Sequence, residues 1–141
     1  MAVELDHPFS WDKPAADGVA TIADLPRVVP CVDGGSVTDD SDPEHVKAEI
    51  KVKMGAMSMK FTGTVDVQEK GDDNAVLVVK SREAGGQGHA NATVTFDVKD
   101  GGGTIHTHAQ ITGKAASMGE GVMVGVLDAL IKDFISKLEQ L

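Results

Sequence analysis

The chain has 141 residues, 41% of them hydrophobic, which is enough for one domain with one sizeable core and too apolar for a disordered segment. Its formal net charge of -9 argues against DNA or RNA as a partner, because phosphate binding depends on clustered Lys and Arg. The lone Cys31 permits no internal disulfide, and with 4% aromatics and no tyrosine any binding site must be made from aliphatic, methionine and small side chains.

No apolar run approaches the roughly 18 residues of a spanning helix. The first residues, Met-Ala-Val-Glu-Leu-Asp, lack the basic and apolar regions of a secretory signal, so a cytoplasmic address is expected. The chain reads as one domain, residues 1–141.

From Val3 to Trp11 the residues have strand character, with Pro14 and Gly18 expected to end it. Residues 19–32 read as two short helical pieces broken at Pro26 and Pro30. Residues 33–45, rich in Gly, Asp, Ser and Pro, read mainly as loop. Their Asp39-Asp40-Ser41-Asp42 run lacks the spacing and terminal Glu of a calcium loop.

A clear period of two follows. Val46, Ala48, Ile50, Val52 and Met54 alternate with Lys47, Glu49, Lys51 and Lys53, as in a strand with one buried and one wet face. After Gly55-Ala56-Met57, the residues Met59, Phe61, Val65 and Val67 define a second such strand. A third is expected at about 75–83. A fourth turns Ala92, Val94, Phe96 and Val98 inward, and a fifth does so with Ile105, Thr107, Ala109 and Ile111. Short turns between consecutive strands make an antiparallel meander.

After Gly113 the period becomes helical. From about Ala115 to Gln140 there is no proline, and Met118, Val122, Val126, Ala129, Ile131, Phe134, Ile135 and Leu138 recur at helical spacing. Ser117 and Glu120 suggest a capping box. Gly119, Gly121 and Gly125 each cost about 1 kcal/mol relative to alanine, a cost borne more readily where close packing or a ligand uses the space. A long sheet twists, its apolar face needs a cover, and this helix is the one large candidate. The expected fold is α+β: a curved antiparallel sheet of about six or seven strands around a long C-terminal helix, with two short helices after the first strand.

No catalytic set emerges. His106 and His108 share a strand face pointing outward with no third metal ligand nearby, and His7, His45 and His89 are scattered. Serines lack a nucleophile elbow, and Cys31 sits in an apolar context where a thiol is unreactive. Of Arg82 and Glu83, one must face inward and is a candidate polar anchor. No metal or cofactor is expected.

Small inward residues (Ala48, Gly63, Ala90, Ala92, Ala109) and the helix glycines reduce filling volume. A large curved sheet so lined leaves a cavity, and a dry cavity binds apolar molecules. Its candidate lining on the sheet is Ile50, Val52, Met59, Phe61, Val65, Ala92, Val94, Phe96, Ile105, Thr107 and Ala109. On the helix it is Met118, Val122, Gly125, Val126 and Ala129. The methionines, with Met54, Met57 and Met59 at one hairpin and Met118 and Met123 on the helix, adapt to irregular apolar shapes.

Three stretches carry a family likeness: IADLPRVVPCV at 22–32, KVKMGAMSMKFTGTV at 51–65, and ITGKAASMG at 111–119 followed by Gly121-Val122. With these the chain resembles the CoxG family, the G-type subunit of carbon monoxide dehydrogenase, within the START-like helix-grip superfamily. The likeness covers about residues 19–140. Many members continue into a Pro/Ala-rich linker and an apolar tail, and carry a longer Trp-containing first helix. The resemblance implies a helix-grip fold and an apolar cavity holding a quinone or lipid-like molecule. It also implies a non-catalytic accessory role beside a molybdenum hydroxylase of the carbon monoxide dehydrogenase type, with peripheral membrane contact. Two other readings stay open: a START-like enzyme of cyclase or aldolase type, which needs an inward acid-base group, and an interaction module with a filled core.

Overall fold

A computed structural model describes all 141 residues, Met1–Leu141. Strand β1 spans Ala2–Ser10 and is followed by helices α1 (Ala15–Ile22) and α2 (Leu25–Val28), the latter running into a 3-10 turn at Val29–Cys31. Strands β2 (Gly35–Asp39), β3 (His45–Met54), β4 (Met57–Lys70), β5 (Asn74–Glu83), β6 (His89–Lys99) and β7 (Gly102–Ile111) come next. A second 3-10 turn, Ala116–Met118, precedes the terminal helix α3, Glu120–Leu138.

The seven strands form one curved antiparallel sheet in the order β1-β7-β6-β5-β4-β3-β2. The first strand lies beside the last, with Val3 opposite Ala109 and His7 opposite Ile105, so α1 and α2 carry the chain across from one edge of the sheet to the other. The alternation in β3 through β7 matches the pleat, and the side chains expected inward face α3. This is a helix-grip fold.

Four boundaries differ from the sequence expectation. Residues 35–39 form edge strand β2, paired with β3 from Gly35 opposite Ile50 to Asp39 opposite Lys47, although Gly, Ser and Asp carry no strand signal; pairing with β3 supplies it. Gly18 lies inside α1 instead of ending β1, because a Cβ there would come within 2.8 Å of the Trp11 ring and 2.9 Å of Val98. The terminal helix starts at Glu120, not Ala115, since Gly119 has φ 99°, outside the helical region, and separates it from the 3-10 turn. Ser117 makes no capping box; its hydroxyl donates to the Lys114 carbonyl instead.

Two apolar clusters fill the grip. The larger joins Phe9 of β1 and the adjoining Trp11 to Ile22 and Leu25, to Phe96, and to Phe134 and Leu138 of α3. The smaller lies at the β3–β4 hairpin end around Val52, Met54, Met59, Phe61, Ile111, Ala115 and Met123. Helix α3 is tied to the β1 edge by Asp128, which accepts from His7 Nε2 at 2.7 Å, and by Glu139, which accepts from the Ser10 N–H at 2.7 Å. No helix is long and apolar enough to cross a membrane.

Candidate functional site: an apolar cavity between sheet and helix

Positions at the centre of an inner sheet face are normally the most buried. Here Ala48, Ile50, Val79, Ala92 and Val94 are only half-buried, because α3 stands away from the sheet above them. The gap is a cavity of about 240 Å³ lined by 25 residues, 19 of them hydrophobic. Its floor is the inner face of β3 to β7, its roof Leu127, Leu130, Ile131 and Phe134 of α3, and its side Leu25, Val28 and Val29. Members of both clusters bound it, Phe61 from the smaller and Phe96 and Phe134 from the larger.

Of the candidate lining, Ile50, Phe61, Val65, Ala92, Val94, Phe96, Ile105, Thr107 and Ala109 stand in the cavity wall. Strand alternation is local, so the sheet residues could be assigned from the sequence. Val52 and Met59 point inward but pack in the hairpin-end cluster, beyond the cavity. The helix assignments need correction. Met118 and Val126 belong to that same cluster, Val122 is 46% exposed, and Gly125 and Ala129 face solvent. The inward stripe is Met123, Leu127, Leu130 and Phe134. Val122, Val126 and Ala129 each precede a stripe residue by one position, a rotation of about 100° about the helix axis. The segment GVMVGVLDALI at 121–131 is apolar nearly all round, so periodicity alone leaves its phase open.

Gly125 therefore leaves no room for a ligand; a Cβ there meets nothing within 4 Å. Gly125→Ala is expected to raise stability by about 1 kcal/mol through helix propensity, without altering ligand binding. Paired denaturant melts and binding titrations check both halves, and weakened binding would return Gly125 to the site.

All six methionines, Met1, Met54, Met57, Met59, Met118 and Met123, gather in the hairpin-end cluster. They come from the N-terminus, one hairpin and the entry to α3, and flexible thioethers fill the irregular space where these three meet.

Polar groups at the wall are few. Ser81 Oγ donates to the Ala90 carbonyl at 2.5 Å, and Glu49 pairs with Lys60 at 3.1 Å. The Glu83 carboxylate accepts from the Gln87 N–H at 3.0 Å and so holds the β5–β6 loop, while Arg82 is exposed. Neither is an anchor in the cavity. Thr107 is 5% exposed and lines the cavity, yet its Oγ1 has no hydrogen-bond partner. A buried hydroxyl left so costs about 1–3 kcal/mol.

The histidines divide. His7 is buried, its Nε2 bound to Asp128 and its Nδ1 unpartnered. The Asp128 carboxyl is held below the usual carboxylate range, first by the Lys132 ammonium and then by His7. His106 and His108 do point outward, where each meets a β1 carboxylate: Asp6 at 2.6 Å and Glu4 at 3.7 Å. Hydrogen bonding to Asp6 raises the His106 pKa. The stabilisation from this pair is complete below the ordinary imidazole value and is lost as pH rises through the raised one. Asp6→Asn is expected to lower the His106 midpoint in an NMR titration; an unmoved midpoint would assign the shift to other groups.

Burial pushes the Cys31 thiol up, against the opposing Lys137 and Arg27 charges, which keeps it unreactive. No group of three or more His, Cys, Asp or Glu is placed to hold a metal.

A helix-grip sheet around a terminal helix, with an apolar cavity between them, places this chain among helix-grip proteins, and solved structures agree. A conserved protein from Geobacillus kaustophilus superposes with a TM-score of 0.76 at 21% identity, covering 99% of this chain and 93% of that one. The Zhui aromatase/cyclase from a Streptomyces species does so at 0.67 and 10% identity, covering 99% and 93%. A protein from Thermus thermophilus gives 0.71 at 9% identity, covering 98% and 97%. These likenesses concern the fold alone. No curated protein matches the chain in sequence. The profile of the CoxG family, the G-type subunit of carbon monoxide dehydrogenase, matches residues 9–141, and the chain belongs to that family.

Proposed function

We propose that the protein binds a hydrophobic small molecule of quinone or lipid-like chemistry between sheet and helix, without transforming it. In this reading it serves as an accessory protein of a carbon monoxide dehydrogenase-type molybdenum hydroxylase, acting in the cytoplasm with peripheral membrane contact. The observation that carries the binding role is the 240 Å³ cavity with its predominantly aliphatic wall. An apolar cavity of about 150 Å³ is known to stay dry and take up benzene, so this one suits a substituted ring, two fused rings or a short acyl segment. A longer tail would have to lie outside it. A non-catalytic role is supported by the wall itself, whose one titratable side chain, Glu49, is already paired with Lys60. Family membership supports the dehydrogenase partnership.

The test is solvent extraction of the purified protein with mass spectrometry of the extract, followed by titration of the emptied protein with the recovered compound. Recovery of an unaltered quinone or lipid that rebinds is expected. Conversion of the added compound into a product would overturn the non-catalytic reading, and an empty extract with no uptake of quinones would overturn binding.

A further inference from the structure

The Thr107 hydroxyl is the one buried polar group of the cavity wall left without a partner, and its surroundings restrict what could satisfy it. Thr107 sits at the middle of β7, opposite Leu5 of β1 and Val94 of β6, with Ile105 and Ala109 flanking it on the same face. Ser81, a comparable hydroxyl in the wall, is already bonded to Ala90. A lone water needs two to four polar partners to be held in a cavity, and this neighbourhood offers one. Valine has the same branched shape and would remove the orphaned hydroxyl, so packing gives no reason for threonine here. A ligand whose carbon skeleton meets the aliphatic wall, and which carries one oxygen, satisfies both requirements.

Resting on the binding role proposed above, we infer that Thr107 is the polar anchor of the cavity and that the ligand class is an apolar ring or chain bearing a carbonyl or hydroxyl oxygen at its buried end. A threonine hydroxyl both donates and accepts, so it serves a carbonyl as donor and a hydroxyl as acceptor. His7 Nδ1 is a second unpartnered atom on the inward side of β1, one register step away, but it stands outside the cavity wall. The anchor is therefore assigned to Thr107 alone.

Three probes sized to the cavity separate the possibilities: naphthalene, 2-naphthol and 1,4-naphthoquinone, each titrated calorimetrically into the whole protein. At least one oxygenated probe is expected to bind about tenfold tighter than naphthalene, as one hydrogen bond in a desolvated site allows. Thr107→Val is expected to abolish that preference while leaving naphthalene affinity unchanged, and Thr107→Ser is expected to keep it. Which oxygenated probe is preferred tells donor use from acceptor use. Without ligand, Thr107→Val is expected to raise the melting midpoint by about 3 °C, because it deletes an unsatisfied group. The inference is overturned if the oxygenated probes gain nothing over naphthalene, if Thr107→Val retains the preference, or if that variant melts several degrees lower. If no probe binds the wild type at all, the binding role falls and the anchor falls with it.

Discussion

Phe96→Ala lowers the unfolding free energy by about 3–5 kcal/mol, the largest single-residue loss expected in this protein. Phe96 is completely buried, and its ring stands edge-on to Phe9 at 6.4 Å and to Phe134 at 6.5 Å. Phe9 in turn meets Trp11 at 5.2 Å with the ring planes at 90°. Four of the five aromatic residues thus form one chain that joins β1, β6 and α3, the three elements that must be brought together to close the grip. Truncation removes the transfer free energy of the ring and two edge contacts, each worth about 0.5–1.5 kcal/mol. It also enlarges a cavity that Phe96 already borders, so little collapse can recover the loss. Domains have about 5–15 kcal/mol to lose, so the variant should melt roughly 10–20 °C lower. A urea titration that finds a loss under about 1 kcal/mol would show that the aromatic chain does not hold the grip.

Ala92→Phe has the opposite character: little change in stability and a large loss of binding. Ala92 lies in β6 between Val79 and Ala109 on the neighbouring strands and borders the cavity, half-buried only because nothing fills the space above it. A benzyl group there projects into that space. The roughly 1.5–3 kcal/mol from burying it is offset by about 1–3 kcal/mol of overpacking, leaving a net change within about 1 kcal/mol. Ligand affinity should fall at least about a hundredfold, the effect of excluding a ring-sized occupant whose burial is worth about 3 kcal/mol. Calorimetric titration of wild type and variant decides it. Unchanged affinity with unchanged stability would place the ligand elsewhere, and Gly125→Ala, on the solvent side of α3, is the control for indirect effects.

The residues behind these effects differ in how far the sequence alone reveals them. Strands β3 to β7 and their inward side chains follow from alternation, because a pleat sends neighbours to opposite faces whatever the rest of the chain does. The pairings of β3 with β4, β4 with β5, β5 with β6 and β6 with β7 are ordinary antiparallel ones across short turns, again a local matter. Edge strand β2 is not legible, since Gly35, Ser36 and Asp39 have no strand preference and gain it by pairing with β3. The face of α3 is not legible either. With apolar residues nearly all round residues 121–131, the choice of Leu127 and Leu130 over Val126 and Ala129 falls to the contacts of the rest of the molecule, including the His7–Asp128 bond across to β1.

Local sequence alone settles the strand faces, the turn positions, the presence of a long terminal helix and the small inward side chains that leave space beside it. Each follows from steric and solvation preferences acting over a few neighbouring residues. Other features depend on segments far apart in sequence: the phase of the helix, the pairing of β1 with β7, the gathering of six methionines at one end and the isolation of the Thr107 hydroxyl. No local preference encodes such meetings. They are set when the apolar face of the sheet and the apolar stripe of the helix are buried against each other, and the cavity is the part of that interface left unfilled.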